Sequence, residues 1–75
     1  MIGTAIRLTR LRKEMTQRDL AERSGISDVS ISRIERGEQD ISLSTLKRIA
    51  DGLGVTEEQL FAFQRELDAE NETKN

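Results

Sequence analysis

A chain of 75 residues with 35% hydrophobic and 35% charged positions and no proline has room for one hydrophobic core, and its composition suits a helical globular domain rather than a long disordered chain. It contains no cysteine and no histidine, which excludes disulfides, thiolate zinc sites and the commonest general base, so no metal, cofactor or enzymatic activity is expected. The net charge of −2 conceals an asymmetry: residues 1–50 hold ten Lys and Arg against seven Asp and Glu, whereas residues 51–75 hold two against seven, a basic front and an acidic back.

Caps and apolar spacing predict five helices. The first runs from about Ile2 to Lys13, with Ile2, Ala5, Ile6, Thr9 and Lys13 on one face and Leu8 and Leu11 off it. Thr16 caps the second, with Asp19 at the reciprocal position and Leu20 and Ala21 inward, and Gly25 ends it. Ser27 caps the third, which keeps Ile31 and Ile34 inward and stops at Gly37. A polar loop, Glu38 to Ile41, leads to a fourth helix starting near Ser42, whose Leu43, Leu46, Ile49, Ala50 and Leu53 form a core stripe ending at Gly54. Thr56 and Gln59 form a capping box for the fifth, which carries Leu60, Phe61 and Phe63 and turns polar from Gln64. Residues 1–67 are read as the domain and 68–75 as an acidic, disordered tail. No apolar run approaches the roughly 20 residues of a membrane helix, and a cytoplasmic location is expected.

Two short helices joined by a tight glycine turn form a helix-turn-helix unit, whose second helix enters the DNA major groove. Spacing alone is weak support for that role, but the residues are more specific. Thr16–Gln17–Arg18–Asp19–Leu20–Ala21, Gly25–Ile26–Ser27 and Ile31–Ser32–Arg33–Ile34–Glu35–Arg36–Gly37 resemble the phage-repressor and Cro family. Ser42–Leu43, Thr45–Leu46, Ile49–Ala50 and Leu53–Gly54–Val55 resemble its fourth helix, and the loop Glu38 to Leu43 is similar to that of restriction–modification controller proteins. The resemblance implies an all-α, compact five-helix, lambda-repressor-like domain with helices two and three as the helix-turn-helix. It also implies a sequence-specific transcriptional regulator of double-stranded DNA, acting as a homodimer on a palindromic operator, with RNA polymerase, blocked or recruited, as a further partner. The alternative is an antitoxin or protein-interaction module on the same fold, for which Asp68 to Asn75 is the one candidate partner segment.

The third helix, about 28–36, projects Asp28, Val29, Ser32, Arg33 and Arg36 away from Ile31 and Ile34. Arg33 is the leading base reader, since a guanidinium can bridge guanine O6 and N7. Asp28 either accepts from cytosine N4, or complements the helix dipole and holds Arg33 or Arg18. Val29 meets a thymine methyl or is a lone exposed apolar residue. Ser32 completes the arc, and Gln17 matches the family's phosphate- or base-contacting glutamine. Thr16, Arg18, Ser27, Arg36, Ser44 and Lys47 are assigned to the DNA backbone. Arg10 and Glu35 match a partly buried structural ion pair of the family. Phe63 and Leu67 are assigned to the dimer interface, against the plainer possibility that Phe63 closes the core on Leu8 or Leu11.

Overall fold

Helix caps set the element boundaries in the computed structural model, which describes the backbone of residues 2–73 and side chains through residue 71. The helices are α1 (Gly3–Arg12), α2 (Gln17–Ser24), α3 (Asp28–Glu35), α4 (Leu43–Leu53) and α5 (Glu57–Thr73). The Thr16 hydroxyl accepts from the Asp19 N–H at 3.0 Å while the Thr16 N–H donates to Asp19 Oδ2 at 2.9 Å, a reciprocal box that satisfies two otherwise orphaned donors. Thr56 and Gln59 repeat it at α5, and Ser27 and Ser42 cap α3 and α4 through Ser30 N and Thr45 N. Gly25 ends α2 at φ 74°, the left-handed conformation that lets three residues turn the chain into α3.

The core is built from one face of every helix: Ile2, Ala5 and Ile6; Leu20; Ile31 and Ile34; Leu46, Ile49, Ala50 and Leu53; and Leu60, joined by Met15 from the first connection. Helix α2 packs on α3 and α4, and α1 lies against α3, α4 and α5. The seven largest of these that are less than 2% exposed are all leucine or isoleucine, among them Ile6, Leu20, Ile31 and Leu60. Each such burial stabilises the fold by roughly 1.5–3 kcal/mol.

Several expectations are corrected. The apolar stripe of α1 does not continue to Lys13, which is exposed; after Ile6 the next buried position is Arg10. Leu43 is 79% exposed instead of belonging to the α4 stripe, because as the first residue of α4 it stands off the face that α2 covers. Of the apolar residues of α5, Phe61 is 45% exposed, whereas Phe63 and Leu67 are half-buried and pack against the chain's own core. The guanidinium carbon of Arg12 stands 4.6 Å from the Phe63 ring centroid, covering the ring from α1.

The expected boundary at residue 67 falls inside α5, which continues through Thr73; Lys74 and Asn75 lie outside the described residues. Gln64 ties this helix to α1 and to its own next turn. It is buried, its Oε1 accepts from the Ala5 N–H at 3.0 Å, and its Nε2 donates to Asp68 Oδ1 at 3.1 Å one turn on. Among the described residues no helix is long and apolar enough to cross a membrane.

Candidate nucleic-acid interface

Helix α3 is held by its two inward isoleucines and by a buried ion pair. Arg10 Nε lies 2.8 Å from Glu35 Oε2, Arg10 Nη2 donates to Glu35 Oε1 at 3.0 Å, and Arg10 Nη1 donates to the Met15 carbonyl at 2.8 Å. The planar guanidinium fork suits this arrangement, in which one arginine satisfies a carboxylate and a carbonyl of the α1–α2 connection at once. Gln17 joins from α2, its Nε2 donating to Glu35 Oε1 at 3.1 Å. A network rooted in α1 therefore fixes both the start of α2 and the end of α3.

The opposite side of α3 is open. Asp28, Val29, Ser32 and Arg36 together with Gln17 line one shallow depression. Arg7, Gln17, Ser32, Glu35 and Arg36 line a second beside it. Five of the residues expected at the interface are thus brought onto one continuous surface, and Val29, at 57% exposure, projects from it. Arg33 is exposed on the flank of this surface and borders neither depression. Thr16 and Ser27 occupy cap positions; Arg18, Ser44 and Lys47 are exposed on α2 and α4.

Two features are not legible in the sequence. Arg7, which no motif singles out, borders the depression beside Gln17 and Arg36. Glu38, at the start of the polar loop, binds Arg36: Arg36 Nε donates to Glu38 Oε2 at 2.7 Å and Nη2 to Oε1 at 3.3 Å. The hydrogen bond to Arg36 holds the Glu38 carboxyl below the usual carboxylate range, helped by the charges of Arg36 and Arg33. Asp28, in contrast, makes no ion pair with Arg33 or Arg18 among the described residues. Its expected role of holding one of those arginines therefore falls away within the single chain.

A surface of this kind, with a short helix presented after a three-residue turn and cations and amides on its open side, can lie in a DNA major groove. Comparison with known proteins agrees. The helix-turn-helix family profile matches residues 6–60. An uncharacterized HTH-type transcriptional regulator of Mycobacterium tuberculosis is 42% identical over 59 residues, 79% of this chain, and the chain spans 42% of that relative's length. The control protein C.MunI of a Mycoplasma species is 38% identical over 61 residues, covering 75% of this chain and 80% of its own. Among solved structures, the restriction–modification controller protein C.Esp1396I, crystallised as a tetramer with its natural 35 base-pair operator, superposes with a TM-score of 0.81. It is 34% identical, over 87% of this chain and 86% of that one.

Proposed function

The chain belongs to the helix-turn-helix family of DNA-binding transcriptional regulators, with the five-helix lambda-repressor-like fold, and from that membership we propose that it regulates transcription as a homodimer on a palindromic operator, in the manner of a restriction–modification controller. The observation that carries this reading is the continuous open surface of Gln17, Asp28, Val29, Ser32 and Arg36 on α2 and α3. Arg33 reads a guanine in each half-site from the flank of that surface. Gln17, Asp28, Val29 and Ser32 contact neighbouring base edges. Thr16, Arg18, Ser27, Ser44 and Lys47 position the domain on phosphates.

One short helix in one groove buries little surface, so two copies on half-sites about one helical turn apart are expected. The exposure of Leu43 and Phe61 favours their face for pairing over Phe63 and Leu67. The work is done in the cytoplasm, where the DNA lies, and RNA polymerase is blocked or recruited there. Selection of bound duplexes from random DNA tests the reading. A palindromic consensus containing a guanine that Arg33→Ala no longer selects is the expected result; no consensus at low salt, or one unchanged in that variant, overturns it.

A further inference from the structure

Arg36 occupies the middle of the DNA-facing arc. At 3.6 residues per turn, Asp28, Ser32 and Arg36 are spaced four apart and follow one line along α3, with Val29 beside it and Arg33 at the outer edge. Arg36 is also common to both depressions on this surface. An arginine so placed has a choice between base edges and the nearby phosphates, and a free side chain would sample both.

The Arg36 guanidinium is not free. Its Nε and Nη2 donate to the two oxygens of Glu38, and its Nη1 donates to the Ser32 hydroxyl. A guanidinium carries five N–H groups. Three are engaged, which leaves one N–H on each terminal nitrogen, the pair of donors that guanine O6 and N7 accept together.

The clamp is solvent-exposed, and exposed ion pairs contribute little to folding stability. Its consequences lie in binding. A side chain already ordered in the free protein loses less freedom on contact. A cation already neutralised by a carboxylate also adds little to the attraction for phosphate, the part of binding that is blind to sequence.

We propose that Glu38 is a specificity-determining positioning residue, which clamps Arg36 against Ser32 so that the remaining donor pair reads a second guanine in each half-site while the carboxylate weakens binding to unrelated DNA. The proposal rests on the DNA-reading function above, and it moves Arg36 from the phosphate-contacting set to the base readers.

The test compares affinities of the full chain for its selected operator and for an unrelated duplex of equal length, in wild type, Glu38→Gln, Arg36→Ala and the double variant. Both residues are exposed, so circular dichroism is expected to show unchanged folding. Glu38→Gln is expected to bind the unrelated duplex more tightly and to lower the operator-to-unrelated ratio by about tenfold, within the discrimination of a bidentate arginine–guanine contact. Arg36→Ala lowers the ratio similarly, and adding Glu38→Gln to it changes the ratio no further. A ratio unchanged in Glu38→Gln, or lowered as much when Arg36 is already alanine, overturns the clamp while leaving the DNA-binding reading intact. A wild-type chain without sequence preference overturns both.

Discussion

Arg10 and Glu35 join α1 to α3 through two hydrogen bonds, with side chains only 9% and 2% exposed, and the second oxygen of that carboxylate also receives Gln17. Stability and site geometry therefore depend on one carboxylate. Glu35→Ala would leave the Arg10 guanidinium buried with the Met15 carbonyl as its remaining acceptor. The expected loss is about 3–5 kcal/mol in urea denaturation. Replacing both residues together, as Arg10→Met with Glu35→Leu, should cost less than Glu35→Ala alone, because no charge is stranded. A Glu35→Ala loss near zero would show that water reaches the pair.

Gln64 stands in for a cap that α1 lacks. Ile2, the N-cap residue, offers no side-chain acceptor, and the Ala5 N–H is met from α5, 59 residues away in sequence. Gln64→Leu keeps the bulk but removes the acceptor, and should destabilise by about 1–3 kcal/mol, the cost of an unsatisfied buried donor. Amide hydrogen exchange at Ala5 should accelerate in this variant more than at Ala50, which lies in the core of α4. Equal acceleration at both would point to global loosening instead.

The two cases differ in how far the sequence revealed them. Caps are local: Thr16 with Asp19 and Thr56 with Gln59 are three residues apart, so their boxes could be read without knowing the fold. Arg10 with Glu35 was legible only through family resemblance. Gln64 reads as the start of a polar stretch because its partner belongs to the first helix, and nothing in its neighbours signals that. The exchange of Phe61 and Phe63 has the same origin: two residues apart on a helix, they point in different directions, and only the position of Arg12 on α1 decides which is covered. In the site, helix periodicity identified the reading arc on α3, but Arg7 enters it from α1, whose own periodicity marks it only as outward, and Glu38 from a loop, where no periodicity applies.

Gly3 shows how closely α1 approaches the reading helix. A Cβ placed on it would stand 2.3 Å from the Ile34 carbonyl oxygen and 2.9 Å from that of Glu35. Those are backbone atoms, so no side-chain rotation relieves the clash. Gly3→Ala, which raises intrinsic helix propensity and would normally stabilise a helix, should instead lower stability by about 1–3 kcal/mol. It should also weaken operator binding more than binding to unrelated DNA, because α3 must shift. A raised melting temperature would contradict this packing.

Asp19 gives the fold an acid-sensitive element. The Thr16 backbone N–H, and then its hydroxyl, hold the Asp19 carboxyl below its ordinary range. A group whose folded pKa is depressed contributes stability above its unfolded value, near 4, and loses it as pH falls through the folded value. Asp19→Asn retains an acceptor for the Thr16 N–H but does not titrate. The variant's melting temperature should therefore fall less than that of wild type as pH is lowered from about 5 through the folded pKa. Parallel curves over that window would remove Asp19 from the acid response.

Phe61 and Leu43 border one apolar groove with Ile2, Ile41 and Leu46, and Arg65 and Asp68 lie at its edge. An aromatic knob beside an apolar hollow, with one cation and one anion on the rim, can match its own copy across a twofold axis, where each residue meets the partner's counterpart in reciprocal fashion. Phe61→Asp places a charge where this pairing requires an apolar side chain, yet the residue is exposed enough for the monomer to fold. Sedimentation should show a folded monomer, and operator affinity should fall because each half-site is then bound independently. Phe63→Asp should behave differently: Phe63 packs against the core beneath Arg12, so the substitution should unfold the chain rather than dissociate it. A dimer that survives Phe61→Asp would place the twofold contact elsewhere on the surface, while a folded monomer produced by Phe63→Asp would return the interface to the other side of α5.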